Sequence, residues 1–164
     1  QNIDSVATTI FRLKRKKRYI IQQGITSTTH LGHPFDIRIH VVKVTGVWTL
    51  GGMIGKVANK KSIVTNACQG SIPTHIDTIL NDYRIMTEEQ SNHVKRTIEE
   101  LTLDVAHEMG KRHTRWNEFG LDVGIDENNH PWLYEVNFKP GFILFRNIDQ
   151  PAYLRIRSLR KQTG

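Results

Sequence analysis

Apolar and polar residues alternate from Phe35 to Lys43. Phe35, Ile37, Ile39 and Val41 fall on one side, and Asp36, Arg38, His40 and Val42 on the other. That two-residue period is the mark of a half-buried strand. Thr45-Gly46 then turns the chain into Val47-Trp48-Thr49-Leu50, which continues through Gly51-Gly52 to Val57, so an antiparallel hairpin is predicted. A longer period governs the residues after Thr87. Val94, Ile98, Leu101, Val105 and Met109 form one helical stripe. Thr87 and Gln90 make a capping box, Glu88 and Glu89 suit the positive end of the helix dipole, and Gly110 is predicted to stop the helix near Lys111, Arg112 and His113. Asp4 to Lys17 also reads as a helix, with Val6, Ile10 and Leu13 in register. Tyr19 to Ile25 reads as a strand, Ala58 to Gly70 as a long polar loop, Pro73 to Leu80 as a short helix, and the tail as helical from Pro151.

The segment Gly120 to Asn137 predicts a second hairpin, Gly120-Leu121-Asp122-Val123-Gly124-Ile125-Asp126 and Pro131-Trp132-Leu133-Tyr134-Glu135-Val136-Asn137. A four-residue turn, Glu127 to His130, sets Asp126 opposite Pro131, Gly124 opposite Leu133 and Asp122 opposite Glu135. Asn137 then shares the face of Glu135, while Leu121, Val123, Ile125, Trp132, Tyr134 and Val136 point to the core. Directly opposed carboxylates destabilise a strand pair, so a positive charge is expected between Asp122 and Glu135. Two carboxylates and an amide oxygen suit magnesium, a hard cation that is shared readily with phosphates. The alternative is an acidic, solvated hairpin, and a change of one residue in the turn would flip the faces of one strand. Asp126 beside the turn reads as a turn-stabilising residue.

Helices, hairpins and the absence of regular crossovers predict an α+β domain, with a mainly antiparallel sheet and helices packed on one face. The 164 residues suffice for one domain with a real core. No apolar run approaches the roughly 18 residues of a membrane span. The single Cys68 excludes an internal disulfide and fits a reducing, cytoplasmic compartment. The eight histidines show no zinc spacing. The net charge is +7, yet twelve of the sixteen acids lie between Asp82 and Glu135. The basic run Arg12, Lys14, Arg15, Lys16, Lys17 and Arg18 is either the solvated face of a helix or an attractor of polyanions. Nucleic acid is the less favoured partner, because no basic motif is interleaved with aromatics. The start at Gln1, without Met, points to a piece of a longer protein.

Leu121-Asp122-Val123-Gly124-Ile125-Asp126, together with Trp132-Leu133-Tyr134-Glu135-Val136-Asn137-Phe138-Lys139-Pro140-Gly141, resembles the end of an ATP-grasp domain. There an Asp on one strand and a Glu-x-Asn on the next hold the magnesium of MgATP. Phe35-Asp36-Ile37-Arg38 resembles the Asp-x-Arg strand of that fold, and Tyr19 to Ile25 resembles its adenine-carrying hinge strand. The combination is most similar to the YheC/YheD family of endospore-associated ATP-grasp proteins, over roughly Tyr19 to Gly141. The resemblance implies ATP and magnesium as cofactors, with Asp122, Glu135 and Asn137 as metal ligands and Glu135 bridging two ions. It implies Gln22, Gln23 and Ile25 beside the adenine, and Lys56, Asn66 and Lys139 near the phosphates or acceptor. Lys56 stands where an Arg is expected in the family. Arg38 would be the catalytic cation, its fork meeting a phosphate or acyl-phosphate oxygen.

The same resemblance implies an ATP-dependent ligase acting on a carboxylate through an acyl-phosphate, with carboxylate and acceptor unidentified. The upstream lid of such enzymes would precede Gln1, and no Gly-rich phosphate loop is present. Two other readings stand beside it. One is a non-catalytic nucleotide-binding or structural module of the spore. The other is a polyanion binder using Arg12 to Arg18. For single residues, Arg38 could be a surface ion-pair partner, Asn66 a turn residue, and Trp48 and Trp132 core residues.

Overall fold

The computed structural model describes Thr8, residues 22–58 and residues 71–163. Apart from Thr8, the helix expected over Asp4 to Lys17 lies outside the described residues, as do the basic run Arg12 to Arg18, Tyr19 to Ile21, Asn66 and Cys68. Gln22 to Ile25, expected to finish a strand, are irregular, and Gln22 and Gln23 are exposed.

Five strands form one antiparallel sheet. They are β1 (Phe35–Val44), β2 (Val47–Val57), β3 (Ile72–His75), β4 (Glu118–Ile125) and β5 (Pro131–Asn137), in the order β3-β2-β1-β4-β5. The first hairpin forms as its alternation predicts: Val44 pairs with Val47, and Thr45 and Gly46 both adopt positive φ, the geometry that a two-residue turn between twisted strands favours. Pro73 lies in β3 rather than in a helix. β3 is an edge strand paired only with β2, a place in a sheet where proline's missing N–H is harmless. Ile76 and Asp77 then lead into a π-helical turn, Thr78–Tyr83.

The long helix α1 (Glu88–Arg112) starts at the expected capping box. Thr87 Oγ1 accepts from Gln90 N at 3.2 Å, and Gln90 Oε1 accepts from Thr87 N at 2.9 Å. It does not stop at Gly110. That glycine is buried inside the last turn, against the Trp48 indole, where a Cβ would stand 2.8 Å from the ring. Ser91, Val94, Ile98, Thr102, Ala106 and Gly110 form the fully buried line, with Leu103, Val105 and Met109 packed beside it. Against them lie Ile37, Ile39, Leu121, Val123 and Ile125 from the sheet.

The α+β class and the antiparallel sheet are as the sequence predicts, but the helices are not confined to one face. α2 (Ile143–Ile148) and α3 (Gln150–Lys161) pack on the opposite side in a second cluster of Ile54, Phe145, Ala152 and Ile156. A β-bulge admits them. His40 pairs with Gly52 and Val41 with Leu50, which leaves Gly51 extra. A Cβ on Gly51 would meet Ile156, and one on Gly52 would meet Ala152 and Phe145. The two helices therefore press directly on the backbone of β2. They cover one end of this second face and leave its other end to polar side chains.

Candidate active site

Cross-strand register builds the polar end of that face. Lys56 pairs with Asp36 across β2 and β1. In the next row Ile54, Arg38, Asp122 and Glu135 stand side by side on β2, β1, β4 and β5. One row further, Gly52, His40, Gly120 and Asn137 are aligned. Two-residue alternation therefore gathers Asp36, Arg38, Lys56, Asp122, Glu135 and Asn137 on a single surface.

Asp122 and Glu135 are opposed as expected, but the hairpin reaches that pairing by another route. Ile125 pairs with Pro131, Gly124 with Trp132 and Val123 with Leu133, one residue out of the expected register. The turn is five residues long, because Asp126 belongs to it. Asp126 Oδ1 accepts from Asn128 N and His130 N at 2.9 Å each, and Oδ2 accepts from Trp132 Nε1 at 2.9 Å. Those bonds hold its carboxyl below the usual aspartate range, the Trp132 bond most of all. A bulge between Asp122 and Val123 then takes up Tyr134 and restores Asp122 opposite Glu135. Two irregularities cancel, so the pair survives while its neighbours change.

The bulge also moves Tyr134, which alternation placed in the core. It lies on the Asp122 face, over Gly124, where a Cβ would collide with its hydroxyl. Burial, and the negative charge of Asp36, push the Tyr134 hydroxyl pKa up against the opposing bond to Ser27. Ser27 in turn donates to Phe35 O at 2.8 Å and accepts from Ile125 N at 3.1 Å. This one hydroxyl pins the segment after Ile25 to both β1 and β4. Gly124 was the available clue, since glycine within a strand often marks a close approach.

The positive charge demanded by the facing carboxylates comes from the sheet itself. Arg38 Nε donates to Asp122 Oδ1 at 2.6 Å and Arg38 Nη2 to Oδ2 at 2.8 Å. Lys56 Nζ reaches Asp122 Oδ1 at 3.3 Å and Asp36 Oδ1 at 3.0 Å. Burial alone would lower the Arg38 pKa; Asp122, with Asp36 and Glu135 behind it, raises it overall. Asn137 Nδ2 donates to Glu135 Oε1 at 2.7 Å, two residues along the same strand. Arg38 is thus an ion-pair partner of the neighbouring strand, held in the bidentate geometry that also fits a phosphate.

A family model, "YheC/D like ATP-grasp", matches residues 1–160. The chain belongs to the YheC/D-like ATP-grasp family. Among curated relatives it is 28% identical over 146 residues to the "Endospore coat-associated protein YheD" of Bacillus subtilis (strain 168), covering 88% of this chain and 30% of that protein. To the "Endospore coat-associated protein YheC" of the same organism it is 23% identical over 125 residues, 76% of this chain and 34% of that protein. The chain thus spans about a third of the length of the curated relatives it matches.

Membership of the ATP-grasp family implies ATP binding. Of the residues that the family resemblance singled out, Arg38, Lys56, Asp122, Glu135 and Asn137 are brought together on one face. Lys139 is not drawn into their network: its ammonium lies 5.7 Å from the centre of the Trp116 ring. Gln22 and Gln23 are exposed and Ile25 half-buried, just ahead of Ser27. Asp36 and Tyr134 are the site-face residues that the sequence reading did not assign to the site. A cleft of about 430 Å³ beside His30, His33, Val57 and Tyr83 includes none of the ionic network. Among the described residues no three His, Cys, Asp or Glu side chains are grouped for a metal, so the candidate set is two carboxylates and one amide. No helix among them is long and apolar enough to cross a membrane.

Proposed function

We propose that this face is the magnesium–nucleotide site of an ATP-dependent ligase that activates a carboxylate as an acyl-phosphate. The observation that carries the reading is the row Arg38, Asp122 and Glu135, with Lys56 and Asn137 beside it. The donor set fits a hard cation: Asp122 and Glu135 supply carboxylate oxygens, and the Asn137 amide, having donated its N–H to Glu135, keeps an oxygen to offer. Bound there, magnesium would neutralise charge on the nucleotide phosphates.

The protein's own groups do the rest of the work. Arg38 and Lys56 balance Asp122 before nucleotide arrives. Were Asp122 to hold the metal, Arg38 would be left to meet charge building on the transferred phosphoryl group. Tyr134, braced on Gly124 and bonded to Ser27, offers an aromatic wall on the same face. In this reading Gln22, Gln23 and Ile25, just ahead of the anchored Ser27, border the adenine, and Asn66 serves the phosphates or acceptor. Lys139 contributes at the acceptor side rather than at Asp122. The test is product formation. ADP and phosphate should appear from ATP only when a carboxylate and an acceptor are supplied, and release that ignores the carboxylate would refute the ligase.

One observation favours a second reading, a nucleotide-binding module without transfer. Arg38 is closed on both Asp122 oxygens, so its fork is engaged rather than open to a substrate. Nucleotide binding without turnover on any carboxylate would select this alternative. The names of the two relatives support association of either version with the endospore coat, and formation in the cytoplasm before such association agrees with the lone Cys68.

A further inference from the structure

Trp116 stands between two cavities at the end of the sheet where β4 begins. One, of about 300 Å³, is lined by Arg115, Trp116 and Lys139. The other, of about 360 Å³, shares Trp116 and is bordered by Glu118, Arg160 and Lys161. The Arg115 guanidinium is 5.4 Å from the centre of the Trp116 ring, and the Lys139 ammonium 5.7 Å. The ring thus holds two exposed cations toward one small cavity.

Their charge is not neutralised from within. Glu118 is the acid bordering these cavities, and it is already engaged. Arg160 Nε and Nη2 reach its two oxygens at 2.9 and 3.1 Å, and His40 Nε2 lies 3.2 Å away. Among the described residues Arg115, Lys139 and Lys161 form no ion pair. Cations crowded into a shared concavity raise the local concentration of anions and are relieved by one. Lys139 follows Asn137 by two residues, so this basic surface continues directly from the strand that carries Glu135.

We propose that the paired cavities around Trp116 bind carboxylates borne along an acidic polypeptide. Such a chain would present a neighbouring carboxyl to the Asp122–Glu135 face. This last step rests on the ligase reading above; the binding itself does not. Arginine's fork matches a carboxylate, and an extended peptide rises about 3.3 Å per residue, so successive acidic residues can serve both cavities. A nucleic acid fits less well. The Trp116 ring is taken up by the two cations and by Phe138, whose ring centre is 5.7 Å away, and so is not an open platform for stacking bases.

The test is fluorescence anisotropy of a short labelled poly-glutamate peptide, titrated with the protein and with the Arg115→Gln/Lys161→Gln variant. Binding should weaken with salt, and it should fall on the order of tenfold in the double variant. Circular dichroism of the variant should be unaltered, because both side chains are exposed. Equal affinity of parent and double variant would overturn the proposal, and so would tighter binding of an oligothymidylate carrying the same charge. Parallel titration with MgATP separates the two readings. Peptide binding that depends on Arg115 and Lys161 supports the subsite even if MgATP does not bind, whereas MgATP binding without it leaves the ligase reading standing and rejects the subsite.

Discussion

Arg38 and Asp122 are direct cross-strand partners, and each Asp122 oxygen accepts an N–H from the Arg38 fork. With Lys56 also on Asp122 Oδ1, this carboxylate balances two cations on a largely buried surface. Asp122→Ala would leave Arg38 without its partner and Lys56 with Asp36 alone, and loss of one partner of such a buried pair costs about 3–5 kcal/mol. Urea unfolding should show a loss of that order. Glu135→Gln, on an exposed side chain, should shift the same curve little. A stable Asp122→Ala protein would mean that water reaches Arg38 and Lys56 freely.

Gly124 should tolerate no side chain. A Cβ there would strike the Tyr134 hydroxyl, and overpacking of this kind costs about 1–3 kcal/mol. Because the obstacle is the hydroxyl, Gly124→Ala should be less damaging in a Tyr134→Phe background. A double-mutant cycle in thermal unfolding checks this; strictly additive effects would argue against the Tyr134 placement.

Glu118 predicts a pH dependence. Burial acts on its carboxyl most strongly and would raise its pKa, but the contacts with His40 and Arg160 outweigh burial, and the net shift is downward. A lowered folded-state pKa gives stability that is present above the usual glutamate value and is lost as pH falls through the folded value. Unfolding midpoints between about pH 3 and pH 6 should therefore fall less steeply in Glu118→Gln than in the parent. Identical pH profiles would refute the assignment.

The Thr87 cap offers a local check. Thr87→Ala removes the hydroxyl that accepts from Gln90 N and should cost about 1 kcal/mol. Hydrogen exchange should show the loss as faster exchange in the first turn of α1.

Local patterns carried much of this fold. The alternation in β1, the Thr45-Gly46 turn and the capping box each specify their element within a few residues, and each element forms, although β1, read as half-buried, is buried on both faces. What the sequence did not disclose depends on contacts between distant segments. Gly110 stays helical because Trp48 lies against it. Pro73 enters a strand because β3 is an edge. Helices cover the second face because Gly51 and Gly52 bare the backbone to α2 and α3. The site shows the same division. The facing of Asp122 and Glu135 was legible, although the register near the turn was one residue off and a bulge at Tyr134 restored it. The Arg38 partner was not legible, because alternation gives a side chain's face and not its neighbour on the next strand.

The most direct test of the account is calorimetric titration of ATP into the protein, with and without magnesium, repeated on Glu135→Gln. Binding should need magnesium and should weaken by at least about tenfold in the variant, with the unfolding temperature nearly unchanged. Equal binding by parent and variant, or binding indifferent to magnesium, would contradict the assignment of the Asp122–Glu135 face.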